Sequence, residues 1–180
     1  MTLTLTLAEA TAANDADGPE SSSICSSPIG EIRLVADESG LRELQLPGSF
    51  EAPGDIFASG AAAAWLAQAS EQLGAYFAGE LREFDLPLSL RGTPFQLRVW
   101  RALADIPYAR TESYGSVAAR VGNPRASRAV GMANNKNPIA IVLPCHRVIG
   151  SNGALVGYGG GLDMKHWLLA HEKDVAATDP

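Results

Sequence analysis

The sequence predicts an α+β protein in two lobes, a small antiparallel sheet covered by a helix and then a mostly helical lobe containing a helix-turn-helix. Three observations carry this expectation. Residues 24–46 alternate apolar and polar side chains in short runs separated by Ser27-Pro28-Ile29-Gly30 and Ser39-Gly40, the period of half-buried strands. From Thr93 onward the apolar spacing becomes helical, with Gly and Asn-Pro signals between the segments. Charge divides in the same place: residues 1–90 carry a net −11, residues 91–150 a net +7 and the remainder −2, within a total of −6.

With 180 residues, 46% hydrophobic and 19% charged, the chain can fill one core or two small ones. Two cysteines, Cys25 and Cys145, lie far apart without metal-ligand spacing, so neither a disulfide framework nor a zinc site is expected. No apolar run approaches the roughly 18 residues of a membrane span, and no basic segment opens a secretory signal. The expected location is the reducing cytoplasm.

In chain order, residues 1–23 contain little to bury and are expected to form a mobile tail. Ile24 to Ser26, Glu31 to Val35 and Leu41 to Leu46 are the expected strands. Residues 47–58 are a Pro/Gly-rich connection. Ala61 to Gly79 is a helix whose apolar face comprises Trp65, Leu66, Leu73, Tyr76 and Phe77, and Phe84 to Leu88 is an expected edge strand closing a lobe of residues 24–90. The second lobe, 91–173, opens with a capping box, Thr93 as cap, Pro94 at the first helical position and Gln96 at the third. Its buried stripe is Phe95, Val99, Trp100 and Leu103. Ser113 caps a short helix with Tyr114, Val117, Ala118 and Val121 on one face, stopped at Gly122. Asn123-Pro124 starts a third helix to about Asn135. There, Ala126, Ala129, Val130 and Ala133 form a packing stripe, and Arg125, Arg128, Met132 and Asn135 share another face with Ser127 and Gly131 beside it. Small side chains beside Arg128 suit close approach to a phosphodiester backbone. The last helix, Asp163 to about His171, presents Met164, Trp167, Leu168 and His171, and residues 174–180 form a tail.

Asn137-Pro138 followed by Ile139 to Leu143 has the length and β-branching of a short buried strand. It delivers Pro144-Cys145-His146-Arg147, where a thiol adjoins an imidazole. A thiol becomes nucleophilic as thiolate, which a neighbouring base promotes. By itself a Cys-His pair is more often packing than chemistry, but the basic charge of this segment points to a polyanionic substrate. The Gly157-Tyr158-Gly159-Gly160-Gly161 loop lacks phosphate-loop and dinucleotide signatures and reads as a hinged lid. Glu172, expected at a helix C-terminus, would be disfavoured by the macrodipole unless a cation faces it.

Pro144-Cys145-His146-Arg147-Val148, preceded by Asn137-Pro138 and by a helix-turn-helix with Tyr114 and Arg128, resembles the O6-alkylguanine-DNA alkyltransferases. The resemblance is close over residues 93–172 and looser over the sheet lobe with its Ser-Pro-Ile-Gly turn. It implies a ribonuclease H-like first lobe, a winged-helix-like second lobe, and direct-reversal DNA repair. In that reaction an alkyl group passes from O6-alkylguanine, or less efficiently O4-methylthymine, in double-stranded DNA to Cys145 in a single turnover. The family's roles then fall on Cys145 as acceptor, His146 as base through a water, Glu172 as orienting carboxylate, Asn137 as brace and Tyr114 as donor to the leaving guanine. Arg128 would fill the gap left by the flipped nucleotide, with Ser127, Ala129 and Gly131 against DNA and Val148, Tyr158 and Gly159 around the base. No metal or other cofactor and no membrane is implied, and the expected state is a monomer, with cooperativity on DNA left open. Some relatives carry serine where this chain has Gly159, so the range of alkyl groups stays open. Two other readings are a binding-only helix-turn-helix protein, against which Cys145 speaks, and a cysteine hydrolase, for which no oxyanion hole is evident.

Overall fold

The computed structural model describes residues 20–50 and 58–178. Residues 1–19 and most of the Pro/Gly-rich connection therefore lie outside the described residues. The chain divides into two units between Gly92 and Thr93, and each is an α+β or helical assembly with its own core.

In the first unit β1 (Ser21–Ser27), β2 (Gly30–Asp37) and β3 (Gly40–Gln45) form an antiparallel meander in that order. The first strand begins earlier than expected: Ser21, Ser22 and Ser23 pair with Ala36, Val35 and Leu34 rather than belonging to a tail. Serine runs carry no apolar signal, so only the ladder reveals them. The tight turn into β3 requires glycine. Gly40 has φ of +148°, and a Cβ there would sit 2.3 Å from the Pro87 carbonyl oxygen. Helix α1 (Gly60–Phe77) buries Ala62, Leu66, Ala69, Leu73 and Tyr76 and packs on the strands, whose Ile32, Leu34 and Leu41 are inaccessible to solvent. Trp65 is only half-buried. The expected strand at Phe84 to Leu88 is absent. A single parallel bridge joins Leu41 to Leu88, because Leu41 N–H donates to Pro87 O and Ser89 N–H to Leu41 O, and Pro87 has no N–H with which to continue a ladder. The buried Asp37 carboxylate accepts from Ser39 N–H (2.8 Å) and Ser89 Oγ (2.6 Å), with Arg91 at 3.6 Å.

The second unit begins with α2 (Pro94–Ala104), whose capping box forms in both directions between Thr93 and Gln96. Leu97 joins Val99, Trp100 and Leu103 in the core, whereas Phe95 stays half-buried. The two-residue strand β4 (Glu112–Ser113) leads into α3 (Tyr114–Arg120), capped by Ser113 Oγ and ended by Gly122 at φ of +81°. Helix α4 (Ser127–Asn135) starts later than Asn123-Pro124 suggests, because those residues first make a turn in which Ala126 N–H donates to Asn123 O. Trp100 Nε1 donates to Ala133 O (2.8 Å), tying α2 to α4. The strand β5 (Val148–Ile149) pairs in parallel with β4, which joins the entry to α3 to the segment just after Cys145-His146-Arg147. Helix α5 (Leu162–Ala177) runs well past His171, so most of the expected C-terminal tail is helical.

Candidate active site

The segment Ile139 to Leu143 is buried as its composition requires, yet it is a compact loop rather than a strand. Val142 N–H donates to Ala140 O, Leu143 N–H to Ile139 O and Cys145 N–H to Leu143 O. Ile141 has φ of +72°, a conformation that a β-branched residue adopts only under strong tertiary constraint. Asn137 supplies part of that constraint: its Oδ1 accepts from Ile139 N–H (3.1 Å) and its Nδ2 donates to Leu143 O (2.7 Å). From this knot Cys145, His146 and Arg147 emerge as one 3-10 turn, all three buried. Asn134 Nδ2, from α4, donates to Cys145 O (3.3 Å).

Burial pushes the Cys145 thiol above its ordinary value; the Asn137 hydrogen bond, the Lys165 charge and the Cys145 and His146 backbone N–H groups act the other way. His146 is fully buried, and its Nε2 lies 2.7 Å from Glu172 Oε1. Burial lowers its basicity; Glu172 raises it, while Arg147 and Lys165 lower it further. Burial would raise the Glu172 carboxyl, but hydrogen bonds and charge from His146 and then Arg147 hold it at about 2. Glu172 is therefore an acceptor-only carboxylate, which places the imidazole proton on Nε2 and leaves Nδ1 as the basic nitrogen. That Nδ1 is buried without a hydrogen-bond partner among the described residues.

Arg147 supports the carboxylate. Its Nε lies 3.2 and 3.0 Å from the two Glu172 oxygens and its Nη2 2.9 Å from Oε1, while Nη1 donates to Ile106 O (2.6 Å). Ala109 N–H donates to Glu172 Oε2 (3.0 Å). Because α5 continues to Ala177, Glu172 sits inside the helix and not at its end. The expected macrodipole penalty, confined to the last turn, does not apply.

At the other side of the turn, fully buried Lys165 donates to Val148 O (2.6 Å) and Val156 O (3.0 Å). Tyr114 OH donates to the same Val156 carbonyl (3.0 Å), and Lys165 Nζ lies 5.8 Å from the Tyr114 ring centroid. Burial, then the neighbouring Cys145, raises Tyr114, keeping it a phenol. Burial and Cys145 push Tyr158 well above its ordinary value. Among the described residues no group of three His, Cys, Asp or Glu side chains could hold a metal ion.

Residues 94–174 match the family described as 6-O-methylguanine DNA methyltransferase, DNA binding domain, and residues 22–90 match 6-O-methylguanine DNA methyltransferase, ribonuclease-like domain. The chain belongs to the 6-O-methylguanine DNA methyltransferase family. It is 50% identical over 158 residues to the methylated-DNA--protein-cysteine methyltransferase of Methanosarcina acetivorans, spanning 83% of this chain and 96% of that one. With the protein of the same name from Mycolicibacterium paratuberculosis it shares 55% identity over 147 residues, 82% and 88% of the two chains. The crystal structure of Mycobacterium tuberculosis OGT in complex with DNA superposes with a TM-score of 0.77 at 48% identity, covering 86% of this chain and 93% of that one.

As a member of the 6-O-methylguanine DNA methyltransferase family, the chain gathers Cys145, His146, Glu172, Asn137, Tyr114, Val148 and Tyr158 within one connected network in the second unit. The residues expected to touch DNA stand apart from it on α4. Arg128 and Ala129 are exposed, and Ser127 and Gly131 are half-buried. Ala129 thus belongs to the outer face, and Asn134 replaces it in the packing stripe with Val130 and Ala133. Gly131 links the two groups, since a Cβ there would lie 3.8 Å from the Tyr114 ring. Gly159 has open space around it. Sequence reasoning gave no role to Lys165, Arg147 or Asn134. With Leu168 and Glu172, three and seven residues on, Lys165 forms the buried stripe of α5; of the expected stripe Leu168 is buried, whereas Met164, Trp167 and His171 are half-buried. No helix among the described residues is long and apolar enough to cross a membrane.

Proposed function

We propose that this protein repairs DNA by direct reversal, transferring the alkyl group of O6-alkylguanine, and of O4-methylthymine less efficiently, irreversibly to its own Cys145. The observation that carries this reading is a buried thiol sharing one turn with a His146–Glu172 pair, in a chain of this family. Thiol and imidazole are both neutral at rest, since burial raises the one and lowers the other. A water relays the thiol proton to His146 Nδ1, and Glu172 offsets the imidazolium charge. The sulfur electron pair then attacks the alkyl carbon in line with its bond to O6. That bond's electrons pass to the guanine, whose growing charge is met by Tyr114 when its O–H turns from the Val156 carbonyl, which Lys165 still serves, to the base.

In-line attack cannot occur inside a stacked duplex, so the nucleotide is extruded at a cost of a few kcal/mol. Arg128 occupies the vacated place in the stack, Ser127, Ala129 and Gly131 let α4 approach the backbone, and Val148, Tyr158 and Gly159 surround the base. The product is a thioether, which has no leaving group that water displaces readily. One turnover exhausts the molecule, and no metal or cofactor takes part. A reducing compartment keeps the thiol usable, which supports a cytoplasmic location.

The test is intact-protein mass spectrometry after mixing with an equimolar duplex containing one O6-methylguanine, followed by peptide mapping. The expected result is a gain of one methylene unit on Cys145, absent in Cys145→Ala, which still binds the duplex. Binding without any mass gain in the reduced wild type overturns the proposal.

A further inference from the structure

Three large apolar side chains are notably exposed among the described residues, Met132, Val156 and Leu162, and Met132 is the most exposed at 66%. A solitary exposed apolar residue needs no explanation. The position of Met132 does. On α4 it follows Arg128 by four residues and precedes Asn135 by three, so the three share one face. The neighbouring positions on the outer side of the helix, Ser127, Ala129 and Gly131, are all small, which leaves one long apolar side chain standing clear of a flat surface.

That surface borders the active site. Gly131 abuts the Tyr114 ring, and Tyr114 in turn bonds the carbonyl of Val156, whose own side chain is 51% exposed. One of the three exposed apolar side chains, Val156, therefore belongs to a residue that flanks Tyr114, and Met132 is the next residue after Gly131 on α4. Their surroundings are cationic: between Ser113 and Lys136 the chain has Arg120, Arg125, Arg128 and Lys136 and no acidic residue. A protein partner for an apolar knob would offer an apolar pocket. A rim of this charge selects a polyanion instead, and proteins that enter the DNA minor groove combine arginines with apolar wedges, methionine among them. An unbranched thioether adapts to an irregular groove without a fixed shape.

We propose that Met132 is a DNA-contact residue, packing on deoxyribose and base edges in the minor groove one helical turn from Arg128, beside the extruded nucleotide. This rests on the alkyltransferase reading above. Met132 then holds the strand while Arg128 fills the gap, and it contributes apolar contact where the rest of the face contributes charge.

The test measures duplex affinity at several salt concentrations, and the transfer rate from duplex and from free O6-methylguanine base, for wild type, Met132→Ala, Met132→Leu and Met132→Gln. The alanine variant is expected to bind and react with duplex about fivefold more weakly, the loss of about one methylene's worth of buried apolar contact for a side chain only partly covered by the groove. Its salt slope should equal that of wild type, whereas Arg128→Ala should flatten the slope by about one unit. Leucine should restore the rate and glutamine, of similar length, should not. The rate with free base should stay unchanged in all three Met132 variants, which establishes that each is folded. Wild-type duplex rates in Met132→Ala, or equal rescue by glutamine and leucine, overturn the proposal. Failure of the wild type itself to acquire a methyl group from duplex overturns instead the alkyltransferase reading.

Discussion

Replacing Arg147 by methionine removes the cation that faces Glu172 while keeping most of the volume. Glu172 then loses its contacts at 3.2, 3.0 and 2.9 Å, and Ile106 O loses a donor at 2.6 Å. Breaking one side of a buried ion pair costs about 3–5 kcal/mol. Holding Glu172 at about 2 instead of 4.5, at about 1.36 kcal/mol per unit, is worth roughly 3 kcal/mol in all, with His146 contributing first and Arg147 the remainder. The pH dependence follows from the signs. His146 is lowered in the fold, so the unfolded chain binds its proton first, and wild-type stability falls as pH drops below 6.5. Glu172 is also lowered, so its contribution is present above 4.5 and disappears as pH falls toward 2. In Arg147→Met one of the charges opposing the imidazolium is gone; Lys165 still opposes it and Glu172 still favours it, so His146 protonates more readily. Guanidinium denaturation between pH 5 and 8 should therefore show a variant weaker by about 3 kcal/mol at pH 7 and flatter below 6.5. A variant within about 1 kcal/mol of wild type, or with an undiminished acid slope, refutes this account of the site.

Other substitutions probe the remaining parts. Asn137→Ala removes both ties across the Ile139–Leu143 loop; it should cost about 2 kcal/mol in denaturant stability and slow transfer by at least tenfold, and a variant of wild-type stability contradicts the bracing role. Tyr114→Phe frees the Val156 carbonyl from one of its two donors. Amide exchange in residues 156–161 should quicken and transfer should slow by about 10²-fold, and unchanged exchange shows that the hydroxyl does not hold the loop. Gly40→Ala drives a Cβ to within 2.3 Å of Pro87 O at a φ of +148°; thermal unfolding of the first unit should weaken by more than about 2 kcal/mol, with transfer from free base unaffected.

Where local chemistry determines local structure, the sequence was informative. Thr93, Pro94 and Gln96 announce α2 because the capping box satisfies backbone donors within four residues, and Ser113 and Gly122 bound α3 for similar reasons. The Cys145-His146 motif was visible for its chemistry. Ile139 to Leu143 misled because a run of β-branched residues records burial, whereas the left-handed turn at Ile141 is imposed by Asn137 and by the packing around it. Ser21 to Ser23 were invisible because their ladder partners, not their side chains, order them. On α5 the apolar residues Met164 and Trp167 drew attention to the wrong face. The true inward stripe carries Lys165 and Glu172, and charges count as inward only once their partners, Val148 O, His146 and Arg147, are known.

The tight enclosure of Cys145 has a bearing on what happens after the reaction. Only 4% of that residue is accessible, and the loop that presents it already holds Ile141 in a left-handed conformation. In the proposed reaction the sulfur gains a methyl group in this enclosed place, and overpacking of that kind typically costs about 1–3 kcal/mol. Methylation also abolishes any thiolate that Asn137 and the turn amides could stabilise. Spent and fresh molecules thus differ in lability as well as in chemistry. A protease that samples opened chains would therefore clear spent molecules faster than fresh ones.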